Sequence, residues 1–167
     1  MEEGVRFDFV PVHHEAQAAS PRQRGNERIV TSSLRRRYPD EPPEQRLSGP
    51  SPHPADFGNH SSALQHAEFV DAELLRCAAR GVVEPWDPAR HGGQPIAVSS
   101  LRLVAKADGS LRMCVNPMYV NLFIRYRAFT YDRLVDLSAM ADEGCYMFTT
   151  DDKSGYWQLL LHPSAQR

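Results

Sequence analysis

Two adjacent carboxylates, Asp151 and Asp152, are the residues of this sequence best suited to metal chemistry. They follow the mostly apolar run CYMFTT at 145–150, which predicts a buried strand because it contains aromatic and β-branched residues. Neighbouring side chains on a strand point to opposite faces, so only one carboxylate can enter a given site, while the other could offer its backbone carbonyl. Such a pair caps a turn more commonly than it binds a divalent cation, and the pattern leaves both roles open.

A second group of charged residues lies on a predicted β-hairpin. Two apolar-rich runs, 96–106 and 111–115, flank the sequence ADG at 107–109, which is typical of a tight turn. A three-residue loop with its glycine in the left-handed conformation pairs Val104 with Arg112. A two-residue loop would instead place Arg112 among the apolar side chains, so we predict the three-residue loop.

This register sorts the hairpin side chains onto two faces by strand alternation. Lys106 and Arg112 then project from the same exposed face, where a lysine point charge and a bidentate arginine could hold a polyphosphate. Any solvated hairpin face can carry such residues, and spacing alone favours that simpler role. The predicted apolar face comprises Leu101, Leu103, Ala105, Leu111, Met113 and Val115, and the predicted polar face comprises Arg102, Lys106, Ser110 and Arg112 with Val104 and Cys114.

Two amphipathic helices are predicted to support these elements. The first covers 63–80, with Ser61 or Ser62 as its N-cap and Gly81 as its C-terminal stop. The second covers 130–141 and precedes the carboxylate strand. Residues 1–58 are rich in Pro, Ser, Arg, Glu and Gln, and this composition predicts a largely disordered arm. Its cluster RRR at 35–37 is typical of a solvated charge run, with RNA contact or nuclear import as alternatives.

Composition allows one modest domain plus the arm, because the chain has 167 residues, 41% of them hydrophobic. The formal net charge of −2 does not indicate nucleic-acid binding by itself, although a polymerase needs only local positive charge. The lysines are Lys106 and Lys153, both close to the residues singled out above. The cysteines at 77, 114 and 145 are predicted to be buried free thiols. With no signal peptide or transmembrane run, we expect an intracellular protein of the cytoplasm or nucleus and no membrane partner.

Two stretches in the right order resemble the reverse transcriptases of retrotransposons and pararetroviruses. LVAKADGSLRMCVNPMYVN at 103–121 is similar to the fingers hairpin of that family, and FTTDDKSGYWQLLLHP at 148–163 is similar to its first catalytic aspartate motif. NHSSALQHAEFV at 59–70 is similar to upstream sequence in the tyrosine-recombinase group of retrotransposons. The resemblance covers residues 59–167, which would be the N-terminal part of a reverse transcriptase domain, its fingers and the start of its palm.

The resemblance implies a role for five residues. Asp151 would be the catalytic aspartate and a metal ligand. Asp152 would bring its backbone carbonyl to the metal and the nucleotide. Tyr156 would pack against the deoxyribose of the nucleotide and disfavour a 2′-hydroxyl. Lys106 and Arg112 would bind its triphosphate.

The implied fold is α+β, with a β-hairpin, two helices and an incomplete antiparallel palm sheet after the disordered arm. The implied reaction is transfer of a deoxynucleotide from dNTP to a primer 3′-hydroxyl on an RNA or DNA template, with a two-metal Mg²⁺ site that this chain does not complete. The remainder of the palm, on the same or another polypeptide, would be a partner. Alternatives are a non-catalytic remnant or host-recruited module that binds nucleic acid or a partner, and an interaction domain with a chance motif.

Two departures from the family pattern qualify these expectations. Asn116 and Met118 stand where family members often carry Asp and Arg, a pair expected to brace the fingers. Later palm motifs, including an aromatic-x-Asp-Asp hairpin, do not occur in residues 1–167.

We therefore predict that purified residues 1–167 do not extend a primer, because Mg²⁺ bound by one or two carboxylates stays largely hydrated. The measurement is extension of a labelled primer on RNA and DNA templates with dNTP and Mg²⁺. Extension that disappears in Asp151→Asn would show that the prediction is wrong.

Overall fold

The computed structural model describes residues 21–125 continuously, together with residues 12, 130, 143–146, 148 and 161. These residues form a mixed α+β structure of helices and two small sheets of two strands each. The helices are α1 (Pro21–Arg37), α2 (Pro43–Arg46), α3 (Ser61–Gln65), α4 (Ala67–Ala79), α5 (Pro88–His91) and α6 (Met118–Phe123), and the strands are β1 (Ala55–Asp56), β2 (Ala97–Val98), β3 (Ser100–Ala105) and β4 (Leu111–Asn116).

The larger hydrophobic core joins α1 to α6. Leu34 of α1 is 1% exposed, Leu122 of α6 is 2% exposed and Phe123 is completely buried. The parallel pair β1–β2 lies beside this core through Ala55 and Ala97. Further members of the core cluster are Val12, Val30, Leu47 and Tyr119.

The prediction that residues 1–58 are largely disordered is wrong for 21–58. Their composition is polar, but the few apolar side chains are spaced to meet one partner: Val30 and Leu34 lie one helical turn apart on α1 and are both buried. The other half of the core comes from α6, which lies far away in the sequence. A reading of local composition therefore underestimates how much surface this segment can bury.

Tyr119 ties the core to the loop that follows α2. Its hydroxyl oxygen lies 3.0 Å from the carbonyl oxygen of Arg46 and 2.9 Å from that of His53, so it can donate to either carbonyl. It also accepts a hydrogen bond of 3.0 Å from the backbone N–H of His53. Burial raises the pKa of Tyr119, because the phenolate form would lose its hydration.

The first predicted helix is confirmed, with a break at His66 that divides it into α3 and α4. Val70 and Cys77 are buried on its apolar face. The predicted cap is wrong: the N-cap is His60, whose ring accepts a hydrogen bond from the backbone N–H of Ser62. Gly81 ends α4 as predicted, with φ of 68° and the N–H of Val82 bonded to the carbonyl of Cys77 in a Schellman arrangement.

The prediction of a buried strand at 145–150 is wrong for the residues that the structure describes. Cys145, Tyr146 and Phe148 are exposed and have no strand conformation, and none of the four described strands pairs with them. An apolar run becomes a buried strand only when neighbouring strands satisfy its backbone and cover its faces. The predicted helix at 130–141 lies outside the described residues except for Thr130, which is exposed and not helical.

Of the three cysteines predicted to be buried thiols, only Cys77 is buried. Cys114 is partly exposed on the polar side of the hairpin, and Cys145 is exposed. None of the helices in the described part of the chain combines the length and the apolar content needed to cross a bilayer.

We predict that Tyr119→Phe lowers the free energy of unfolding by about 1–3 kcal/mol, because it leaves partly buried backbone groups of Arg46 and His53 without this partner. Urea denaturation followed by circular dichroism measures the change. Tyr38→Phe is the matched control, since the exposed hydroxyl of Tyr38 bonds the backbone of Asp56 where water can replace it. An equal loss in both variants would contradict the prediction.

Candidate nucleotide-binding face of the hairpin

The hairpin has the predicted register. Val104 pairs with Arg112 and Ala105 with Leu111, and the backbone N–H of Lys106 donates to the carbonyl of Ser110 at 2.8 Å. The three-residue loop is confirmed, with Gly109 in the left-handed region at φ of 79°. The N–H of Gly109 donates to the carbonyl of Lys106 at 3.0 Å and closes the turn.

Asp108 is committed to the turn rather than to a ligand. Its Oδ1 accepts hydrogen bonds from the hydroxyl of Ser110 at 2.6 Å and from the backbone N–H of Ser110 at 2.9 Å. These bonds hold the pKa of Asp108 below its usual range, and the nearby charge of Lys106 acts in the same direction. The ionised carboxylate therefore stabilises the loop that presents Lys106.

The apolar face of the hairpin packs on α3 and α4. Leu103 is buried with Ala63 and Val70, and further hairpin side chains pack against them. Val115 is half exposed because the helices cover β3 and the part of β4 next to the turn. Ala105, also predicted on this face, is exposed. The partly buried hairpin residues of this cluster are Leu101, Leu111 and Met113.

The outer edge of β3 is covered by the segment that leads into α3. The side-chain oxygen of Asn59 accepts from the N–H of Leu101 at 3.0 Å, and the hydroxyl oxygen of Ser62 accepts from the N–H of Leu103 at 3.0 Å. The N–H of His60 donates to the carbonyl of Leu101 at 2.9 Å. These bonds satisfy backbone groups that an edge strand would otherwise leave unpaired, and they hold the hairpin on the helices.

The opposite side of the hairpin carries three exposed cations, Arg102, Lys106 and Arg112, which we call the cation face. Residues two apart on a strand lie about 6.6 Å apart. Arg112 is opposite Val104, which stands between Arg102 and Lys106, so the three charges form a row along the ribbon. Within the described residues, no carboxylate oxygen lies within 4.0 Å of these side-chain nitrogens.

Glu73 of α4 interacts with the charge of Lys106 on the cation face. The hydrogen-bonded guanidinium of Arg76 holds the pKa of Glu73 below its usual range. The charges of Arg80 and Lys106 lower this pKa further. Because Arg76 already engages both oxygens of Glu73, at 2.6 and 2.9 Å, this carboxylate neutralises Lys106 only in part.

This arrangement can bind a polyanion. Lys106 offers a mobile point charge, and Arg112 offers a planar fork that matches two phosphate oxygens. Both side chains are exposed, so each contact competes with water and weakens with salt. Strand alternation in the sequence predicted that Arg102 lies on this face but assigned it no function. Its position in the row beside Arg112 and Lys106 indicates that it can contact the same anion.

The remaining predicted site residues, Asp151, Asp152 and Tyr156, lie outside the described residues. Within the described part of the chain, no group of three or more His, Cys, Asp and Glu side chains could hold a metal ion. Asn116, which by the resemblance stands where reverse transcriptases often carry aspartate, accepts a hydrogen bond of 3.2 Å from the N–H of Met118, the first residue of α6. Thus Asn116 braces the junction of β4 and α6 through the backbone.

Comparison of the chain with models of protein families, with curated proteins and with solved structures gave no match.

We predict opposite effects for the same substitution at two glycines. Gly109→Ala lowers the free energy of unfolding by about 1–2 kcal/mol, because a side chain disfavours the left-handed conformation of the turn. Gly25→Ala raises the free energy of unfolding by about 0.5–1 kcal/mol, because Gly25 lies within α1 and an added Cβ meets nothing within 4 Å. Urea denaturation of both variants measures the two changes. A gain in stability for Gly109→Ala would contradict the assigned turn, and a loss for Gly25→Ala would contradict the helical environment assigned to Gly25.

Proposed function

We propose that this chain supplies the fingers of a retroelement reverse transcriptase and that its cation face binds the triphosphate of the incoming deoxynucleotide. The observation that carries the proposal is the hairpin register, which puts Lys106 and Arg112 on one exposed face, where no carboxylate oxygen of the described residues lies within 4.0 Å of either cation. These are the two positions that the resemblance assigns to triphosphate binding. The reaction would be template-directed transfer of a deoxynucleotide to a primer 3′-hydroxyl.

The roles of Asp151, Asp152 and Tyr156 in this proposal rest on the resemblance. Asp151 and Asp152 would hold Mg²⁺, which activates the primer hydroxyl and stabilises the leaving pyrophosphate in this chemistry. Tyr156 would contact the deoxyribose. Lys106 and Arg112 would offset negative charge on the triphosphate oxygens, an electrostatic contribution that grows when the nucleotide is enclosed and water is excluded.

Binding of the nucleotide to the isolated chain is expected to be weak. Hydrogen bonds that involve a charged group contribute about 1.5–3 kcal/mol each, and exposed ones fall at the low end. Two such contacts, about 3 kcal/mol together, predict a dissociation constant on the order of 10 mM. Closure against template-primer and the remainder of the palm would be required for tighter binding, because it lowers the effective dielectric around the same charges.

A second candidate function is nucleic-acid binding without catalysis, by a remnant or a host-recruited module. The row formed by Arg102, Arg112 and Lys106 favours it, because three cations along a ribbon can follow consecutive phosphates of a polynucleotide as well as one triphosphate. The two functions differ in ligand preference. A polynucleotide-binding row would prefer an RNA oligomer over dATP and would depend on Arg102 as strongly as on Lys106.

We predict that Lys106→Gln and Arg112→Gln each weaken binding of dATP to residues 1–167 by about tenfold, corresponding to about 1.4 kcal/mol. Binding is measured from chemical-shift changes in the ¹⁵N–¹H spectrum during titration with dATP, with deoxyadenosine as the ligand that lacks phosphate. Arg28→Gln, an exposed arginine on α1, is the matched control for the change in net charge.

An equal affinity for dATP in Lys106→Gln, Arg112→Gln and Arg28→Gln would reject the triphosphate role. Stronger binding of an RNA oligomer than of dATP, lost in Arg102→Gln as well, would favour the second candidate function.

A further inference from the structure

The three consecutive arginines at the end of α1 have different environments. Arg35 lies 3.9 Å from a carboxylate oxygen of Glu44. Arg37 donates to the carbonyl oxygen of Asp56 at 3.1 Å and lies 4.0 Å from its carboxylate. For Arg36, no carboxylate lies within 4.0 Å among the described residues. The fold therefore gives the three arginines different partners, although their sequence is uniform. The guanidinium of Arg36 remains available to bind a ligand.

Arg36 lines an open cleft with a volume of about 350 Å³. The cleft lies between the last turns of α1, the segment 57–60, the first residue of β3 and the junction of β4 with α6. Its described lining contains two arginines and no Asp or Glu. Its size is at the lower end of the range for small-molecule sites, about 300–1,000 Å³.

The amide side chains in this cleft have their oxygens occupied by the backbone. The oxygen of Asn59 accepts from the N–H of Leu101, and the oxygen of Asn116 accepts from the N–H of Met118. A backbone N–H can only donate, so the bonded atom of each amide is its oxygen. The amide N–H groups of Asn59 and Asn116 are left as donors, since neither has an acceptor within hydrogen-bond distance among the described residues.

His60, which also lines the cleft, is restricted in the same way. Its Nδ1 accepts from the backbone N–H of Ser62 at 3.2 Å, so the neutral ring carries its proton on Nε2. Arg36, the amide N–H groups of Asn59 and Asn116 and the Nε2–H of His60 are therefore hydrogen-bond donors at this cleft, while the bonded acceptors of these three side chains hold the edge of β3 and the first residues of α3 and α6. A concave surface that offers donors and positive charge without carboxylates suits an anion.

The remaining wall of the cleft is apolar. The partly buried ring of Phe57 packs against Tyr119 with 5.2 Å between the ring centroids, and Met118 and the exposed Ile29 also line the cleft. A small inorganic anion would use only the donors. A ligand with a phosphate and a flat aromatic group would use both walls, because an aromatic ring such as that of Phe57 can stack on a nucleobase.

Stabilisation of the C-terminal end of α1 is the simpler explanation for arginines in its last turn. It accounts for Arg35, Arg36 and Arg37 equally. It does not explain why Asn59 and His60 on the segment 57–60, and Asn116 at the end of β4, each use an acceptor for a backbone N–H and leave donors near the same cleft.

We propose that this cleft binds the phosphate group of a nucleoside monophosphate, with Arg36 as the principal cation, the amides of Asn59 and Asn116 as further donors, and Phe57 beside the base. The site shares no residue with the cation face. It therefore stands whether or not the hairpin binds dNTP.

The test is titration of purified residues 1–167 with AMP, inorganic phosphate and adenosine, followed by calorimetry and ¹⁵N–¹H chemical shifts. AMP is expected to bind more tightly than phosphate and at least about tenfold more tightly than adenosine, because adenosine forms none of the charge-assisted bonds. Equal affinity for AMP and adenosine would overturn the proposal, and equal affinity for AMP and phosphate would overturn the assignment to a nucleotide.

Two substitutions locate the site. Arg36→Gln is expected to weaken AMP binding by about tenfold, while Arg35→Gln, its neighbour with the same change in charge, leaves it within about twofold. Asn116→Asp keeps an oxygen that can accept from the N–H of Met118 but replaces the amide donors with a negative charge, so it should abolish AMP binding. Circular dichroism confirms that the variants remain folded.

The double variant Lys106→Gln/Arg112→Gln separates this proposal from the function proposed for the hairpin. AMP binding is expected to be unchanged in it. Loss of AMP binding in the double variant together with retention in Arg36→Gln would overturn the cleft proposal and assign the nucleotide to the cation face. Equal losses in Arg36→Gln and Arg35→Gln would also overturn the proposal, because they would indicate a general charge effect.

Discussion

The burial of Leu34 on α1 together with Leu122 and Phe123 on α6 is the interaction on which the rest of the described structure depends. Among the described residues these are the largest fully buried side chains, and complete burial of each stabilises the fold by about 1.5–3 kcal/mol. Because α6 follows β4 directly, this contact fixes the end of the hairpin relative to α1. It also fixes the end of α1, and with it Arg36 and Arg37, relative to β1.

The hairpin is held from its apolar side and from its edge, which leaves its cations to solvent. Leu103 is buried against α3 and α4, while Asn59 and Ser62 bond the backbone of β3. Alternation along a strand then forces Arg102 to the opposite face. The exposure of the cation face is therefore a consequence of the packing beneath it.

The same polar side chains that end and connect the elements also determine the character of the cleft. Asn59, His60 and Asn116 each accept from a backbone N–H, and these bonds stabilise β3, α3 and α6. The amide N–H groups of the two asparagines and the Nε2–H of His60 then remain as donors. Local structural roles thus produce a surface that favours anions although the net charge of the chain is −2.

Local chemistry was sufficient to predict the hairpin register, the helix before it and the glycine that ends that helix. A turn glycine, strand alternation and a helical stop act within a few residues, so they can be read in one stretch of sequence. The position of α1 in the core was decided by tertiary structure. Its two buried residues stabilise the fold only when α6 covers them. The division of the arginine triplet depended on Glu44 and Asp56, residues of other elements, and the sequence contains no signal for that pairing. Burial and ion pairing join segments that are distant in the sequence. They could not be predicted from the sequence because only the folded chain brings those segments together.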